Sequence, residues 1–174
     1  MWTLAHEVSR HRDFHSLCLT GGEPLCQADF LREFLIGIKD FELKVYLETN
    51  GTLPEELLKV VDHVDIIAMD FKLPSATGRE AFWRQHEAFL RIAQARDTFV
   101  KMVIAQATGD EDILAASAII KKINPMIPCV LQPNWFDVDA GLLNRMVSFK
   151  KYFLDAGIRD CKILPQAHKY AGIK

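Results

Sequence analysis

The residues best suited to chemistry lie in the stretch Leu19-Thr20-Gly21-Gly22-Glu23-Pro24-Leu25. Two adjacent glycines permit φ > 0 and, having no Cβ, let a ligand come close to the main chain. Glu23 adds a carboxylate that can accept hydrogen bonds from an ammonium group, and Pro24 stiffens the exit. The stretch reads as a socket for the backbone-like end of an amino acid. A glycine turn capped by a surface glutamate would use the same residues.

The elements that must position this stretch are legible on either side of it. An apolar run, Ser16-Leu17-Cys18-Leu19, precedes it, and an amphipathic segment over 28–39 follows, with Leu31, Phe34, Leu35 and Ile38 as its stripe. The pattern is strand, turn, helix, and it recurs. A strand over 44–48 turns at Thr49-Asn50-Gly51 into a short helix entered through Pro54, with Leu57, Leu58 and Val61 inward. A strand over 65–69 ends in Asp70-Phe71-Lys72-Leu73-Pro74. The helix after it, over 79–95, turns Phe82, Phe89, Leu90 and Ala93 inward, with His86 beside them as a core histidine.

A fourth strand over 98–104 leads through Thr108-Gly109-Asp110 into a helix bearing Ile113, Ala116, Ile120 and Ile123. A fifth over 129–132 meets Pro133-Asn134-Trp135, and a helix over 140–156 closes at Gly157. A last strand over 161–164 runs into Pro165-Gln166-Ala167-His168-Lys169-Tyr170. Residues 1–11 read as a helix with Trp2, Ala5 and Val8 on one face, so the chain opens inside a repeat unit. Alternating strands and helices predict an α/β fold with parallel pairing and right-handed crossovers.

Polar residues gather at the carboxyl ends of these strands: Thr20 and Glu23, Glu48 and Asn50, Asp70 and Lys72, Lys101, Gln132 and Asn134, Gln166 and His168. In a parallel barrel or part-barrel those ends share one rim. Asp70 and Lys72, two apart on an extended segment, project to the same side as an ion pair or a ligand clamp. An exposed pair of this kind contributes only ~0–1 kcal/mol. His168 and Lys169 suit an anionic ligand or a solvated tail.

Length and charge narrow the class. A chain of 174 residues fits one domain, 1–174, and buries ~70% of the surface of its unfolded form. The net charge of −2 supplies no basic field for nucleic acid. No apolar run reaches the ~18 residues that span a bilayer, and the charged start, Glu7 to Asp13, is no signal peptide, so the expected location is cytoplasmic. Cys18, Cys26, Cys129 and Cys161 are scattered and read as core thiols.

Taken together, Thr20-Gly21-Gly22-Glu23-Pro24, Glu48-Thr49-Asn50-Gly51, Met69-Asp70-Phe71-Lys72 and Leu164-Pro165-Gln166-Ala167-His168-Lys169 resemble the radical S-adenosylmethionine superfamily. Within it the chain is most similar to the 7-carboxy-7-deazaguanine synthase family of queuosine biosynthesis. The resemblance implies a parallel (βα)6 part-barrel, a [4Fe-4S] cluster held by three cysteines, and Mg2+. It implies reductive cleavage of S-adenosylmethionine to a 5′-deoxyadenosyl radical, and rearrangement of 6-carboxy-5,6,7,8-tetrahydropterin with loss of ammonia. A flavodoxin or ferredoxin is the expected electron donor.

By this resemblance the cofactor contacts are Gly21, Gly22, Glu23, Glu48, Asn50, Asp70, Phe71, Lys72 and Gln132-Pro133-Asn134-Trp135. The substrate contacts are Thr20, Gln166, His168 and Lys169. This branch often carries Ser-Pro-Lys where the chain has Asp70-Phe71-Lys72. Glycyl-radical-enzyme activases carry an Asp-x-Lys of this form, so that activity is an alternative.

No Cys-x3-Cys-x2-Cys occurs in the sequence. By homology, the first strand, the cluster loop, and the magnesium- and substrate-binding residues they carry belong ahead of the helix that opens the chain. The domain is therefore expected to be incomplete at its N-terminus, through truncation, a late start codon or degeneration. Without the thiolates the chain is expected not to catalyse radical chemistry alone. A non-catalytic barrel that binds a nucleoside or a protein is the third reading. A missing first unit would bare an edge strand, so self-association is expected.

Overall fold

The computed structural model describes residues 14–166 together with Glu7 and Lys169. Six parallel strands form one sheet in chain order: β1 (Ser16–Leu19), β2 (Lys44–Thr49), β3 (Ile66–Phe71), β4 (Asp97–Ile104), β5 (Cys129–Pro133) and β6 (Cys161–Ile163). The helices between them are α1 (Ala28–Ile38), α2 (Pro54–Val60), α3 (Pro74–Thr77), α4 (Trp83–Ala93), α5 (Asp110–Ile123) and α6 (Ala140–Asp155). Each long helix packs on the next in sequence: α1 on α2, α2 on α4, α4 on α5 and α5 on α6. This is an α/β part-barrel, as the alternation predicts.

Alternation along the strands separates two faces. Val45, Leu47, Ile67, Met69, Val100, Met102, Ile104, Cys129, Leu131 and Cys161 are buried toward the helices. Fully burying each large apolar side chain in this layer contributes ~1.5–3 kcal/mol. The alternate residues Tyr46, Glu48, Phe99, Lys101, Val103, Val130 and Gln132 are only half-buried. That second face is the open interior on which polar groups are free to collect.

Local differences from the sequence reading have physical causes. Strand β3 runs to Phe71, because Asp70 and Phe71 pair with Lys101 and Met102 of β4. The helix predicted over 79–95 is shorter, Trp83–Ala93, and a separate turn precedes it. Pro74 starts the single turn α3, Gly78 ends it in the left-handed region at φ 65°, and α4 begins only at Trp83. Phe82 is consequently a half-buried residue at the start of α4. On the seven-residue α2, Leu57 and Val60 face the core, while Leu58 is exposed and Val61 half-buried in the following turn.

Two of the four cysteines depart from the core reading. Cys129 and Cys161 are buried register partners on the helix side, whereas Cys18 and Cys26 are exposed. Cys18 pairs in register with Tyr46, which puts it on the open face, and Cys26 lies in a 3-10 turn. The helix predicted over 1–11 lies outside the described residues, Glu7 excepted. Among the described residues no helix is long and apolar enough to cross a membrane.

Candidate functional site

The Gly21-Gly22-Glu23-Pro24 turn leaves β1, and the Thr49-Asn50-Gly51 turn leaves β2 beside it. Glu23 ties the two together. Its Oε1 accepts from Thr49 Oγ1 at 2.8 Å and from the Leu25 amide at 3.2 Å, and its Oε2 accepts from the Asn50 amide at 2.8 Å. The Leu25 contact caps the 3-10 turn Pro24–Gln27. The carboxylate expected to meet a ligand ammonium is thus first a brace between loops.

Gly21 sits at φ 137°, a conformation that favours glycine. At Gly22 no neighbour among the described residues lies within 4 Å of the position a Cβ would take. Crowding by those residues gives no reason for glycine there. What remains is a bare amide open to approach from outside.

Behind the turns a row of charges crosses the sheet. Thr20 Oγ1 donates to Glu48 Oε2 at 3.4 Å, and Lys101 Nζ donates to Glu48 Oε1 at 3.0 Å. The same ammonium lies 3.8 Å from Asp70 Oδ2, which also takes Lys72 Nζ at 2.6 Å. Register explains the row: Asp70 stands opposite Lys101 across β3 and β4. Burial opposes the charge on Lys101, yet Asp70 and Glu48 outweigh it and raise its pKa. On the same face, burial and the Glu48 carboxylate push the Tyr46 phenol up to about 12.

Asp70 is 8% exposed, and among the described residues its Oδ1 has no hydrogen-bond partner. A buried carboxylate oxygen without a donor is uncommon and calls for one. Asp70 lines a pocket of about 290 Å³ together with Thr20, Gly21, Gly22, Glu23, Glu48, Thr49, Asn50, Lys72 and Arg79. A second hollow of about 500 Å³ shares Asn50, Lys72 and Arg79 with the first and adds Thr52, Thr77 and Phe82. The combined site carries three carboxylates, two cations, hydroxyls and open backbone. It suits a polar ligand with both ammonium and carboxylate groups.

Eight of the residues named from sequence therefore share one wall: Thr20, Gly21, Gly22, Glu23, Glu48, Asn50, Asp70 and Lys72. Phe71 does not join them, because its ring points to the helix side, 1% exposed and stacked on His86. Gln132, Pro133, Asn134 and Trp135 lie at the end of β5, two strands beyond β3. There Asn134 donates to Asp137 Oδ2 at 3.1 Å. Gln166 and Lys169 follow β6 at the opposite edge of the sheet from β1, joined by the Lys169 amide donating to the Gln166 carbonyl at 3.0 Å. His168 lies outside the described residues.

Two participants, Thr49 and Arg79, are not marked as site residues by the sequence, and Lys101, named at the rim, has no role assigned to it there. Lys101 was visible as a lone cation in the apolar run Phe99-Val100-Lys101-Met102-Val103-Ile104, the signal that could have promoted it. In the sequence Thr49 stands out only as a turn residue and Arg79 only as the start of a helix. Arg79 reaches the pocket because Gly78 turns the chain before α4.

No protein-family model matches the chain. It is 39% identical over 158 residues to the 7-carboxy-7-deazaguanine synthase of Geobacter sulfurreducens, covering 90% of this chain and 63% of that relative. It is 33% identical over 165 residues to the 7-carboxy-7-deazaguanine synthase of Archaeoglobus fulgidus, covering 92% of this chain and 67% of that relative. The chain thus spans about two thirds of the length of these curated relatives. In fold it is similar to a domain of pyruvate-formate lyase-activating enzyme from Bacteroides vulgatus, with TM-score 0.66 and 15% identity, covering 87% of this chain and 99% of that domain.

Proposed function

This chain belongs to the 7-carboxy-7-deazaguanine synthase family, and from that premise we propose that its rim binds S-adenosylmethionine and the pterin for such a synthase. The reaction is conversion of 6-carboxy-5,6,7,8-tetrahydropterin to 7-carboxy-7-deazaguanine in queuosine biosynthesis. The observation that carries the reading is the single wall on which the first three motifs converge.

The residues present suit S-adenosylmethionine. The Gly22 amide is open to the ligand's main-chain-like end, Asp70 Oδ1 lacks among the described residues a donor that a hydroxyl or amine would supply, and Lys72 and Arg79 face a carboxylate. Bound there, the cofactor would supply radical-generating chemistry. The chain's part is to orient it, with Glu23 locking the two turns and Lys101 holding Glu48 and Asp70 apart in charge. Thr20, beside Glu48, is the contact for the pterin.

The cluster is a different case. It needs three thiolates on one loop. Among the described residues Cys18 and Cys26 are exposed on separate elements, Cys129 and Cys161 are buried in strands, and no group of three His, Cys, Asp or Glu could hold a metal. The cluster and Mg2+ have no ligand set among them. A cytoplasmic location, a flavodoxin or ferredoxin donor and self-association complete the proposal.

Calorimetric titration of the chain with S-adenosyl-L-homocysteine tests this reading. One-site binding that Lys72→Met weakens at least ~10-fold, as loss of a charge-assisted contact does, is the expected result. No binding by the unaltered chain overturns it. A second titration with the tetrahydropterin, in the presence of the first ligand, separates the synthase from an activase, which has no use for a pterin.

A further inference from the structure

We infer that His86 is a positioning residue for this rim, holding the Asn50 carbonyl and the Phe71 ring from the helix side and so setting where Asn50, Asp70 and Lys72 stand. The inference rests on the reading of the rim as a ligand site. His86 itself lines neither of the two hollows described above and is 0% exposed. It lies on α4, 36 residues from Asn50 in sequence, and its Nε2 is 3.2 Å from the Asn50 carbonyl oxygen. A carbonyl can only accept, so Nε2 carries the proton and donates. Nδ1 is then the bare nitrogen, and among the described residues it has no partner.

The ring is fixed on its faces as well. It stacks on Phe71 with centroids 4.6 Å apart and planes 15° from parallel, and Trp83 meets it edge-on at 6.1 Å. Phe71 separates Asp70 from Lys72 in an extended strand end, so anchoring its ring on the helix side holds those two on the pocket side.

Asn50 is held from three directions. Its amide donates to Glu23 Oε2, its carbonyl accepts from His86, and its Oδ1 accepts from Thr52 at the amide and at the hydroxyl. Among the described residues its side-chain NH2 has no hydrogen-bond partner. That group is left as a placed donor, suited to a carboxylate or carbonyl oxygen of the ligand. A histidine that only filled the core would have no reason to hold the one turn that carries this donor.

The test compares His86→Phe, which keeps the ring and loses the donor, with His86→Gln, whose amide nitrogen can stand where Nε2 does. Amide hydrogen exchange is followed without ligand. In His86→Phe the Asn50, Gly51 and Thr52 amides are expected to exchange about five- to tenfold faster, the equivalent of one lost hydrogen bond, while β4 and β5 amides hold. His86→Gln restores the unaltered rates. Uniform acceleration across the sheet, no acceleration at the turn, or equal behaviour of the two variants overturns the inference.

Affinity for S-adenosyl-L-homocysteine is expected to fall in His86→Phe and recover in His86→Gln. If the unaltered chain does not bind that probe, the reading of the rim fails, while the exchange comparison still decides the role of His86. Should His86→Phe not fold, His86→Asn replaces it, because its shorter amide stands near Nδ1 and cannot reach the carbonyl.

Discussion

The Glu23 carboxylate and the Asn50 amide, 27 residues apart, meet at 2.8 Å and fix the first turn of the rim against the second. With Thr49 and Leu25 also donating to it, Glu23 accepts from three groups on two loops. Replacing it by alanine strands donors that are part-buried. The expected loss is about 2 kcal/mol, in the range for hydrogen bonds to a charged group. Urea denaturation measures it, and Glu23→Gln, which keeps one acceptor, should lose less.

Removing the Lys101 ammonium leaves Glu48 and Asp70 facing each other without the cation between them. Lys101→Met is therefore expected to be less stable than the unaltered chain at neutral pH, measured by urea denaturation. The pKa of Lys101 itself is raised by its two partners over the opposing effect of burial. Its contribution to stability is therefore complete below the unfolded lysine value near 10.5 and is lost as pH rises through the folded value. The unaltered chain should lose stability at strongly alkaline pH by more than Lys101→Met does.

The six strands and the rim were legible because both rest on local signals: apolar runs bounded by turns, and polar residues at strand ends. Thr20, Glu48 and Asp70 could be placed on one mouth without knowing a single distance. What could not be read was direction. Phe71 lies between two rim residues in sequence, yet strand alternation turns it away from them. Glu23 was readable as an acceptor, whereas its commitment to Thr49 and Asn50 depends on how two loops lie side by side. The half-open face explains Cys18: a residue in a strand is buried only if something covers its side of the sheet.

His86 titrates in the direction that makes the fold acid-sensitive. Burial depresses its pKa from 6.5 to about 4, the Lys72 charge adds to the effect, and the bond to Asn50 opposes it. On its own helix Arg84 is exposed, and Glu87 is paired with Arg91 and Lys122. The unfolded chain then binds a proton at a higher pH than the folded one. The contribution is complete above pH 6.5 and falls as pH drops toward 4, by about 3 kcal/mol at most. Chemical denaturation between pH 7 and 4 should show this slope, and His86→Gln should flatten it.

Two glycines at the rim should answer substitution in opposite ways. Gly51 has φ 68°, and a Cβ there would run into the side chain of Met69, which is wholly buried in β3. Gly51→Ala is expected to destabilise by at least ~1 kcal/mol from the backbone alone, with the displaced methionine adding to it. Gly22 has open space around its missing Cβ, so Gly22→Val should leave the denaturation midpoint almost unmoved. The same change places two methyl groups over the amide that the ligand must approach. If Gly22→Val keeps both its stability and its affinity for S-adenosyl-L-homocysteine, the ligand does not lie against that turn.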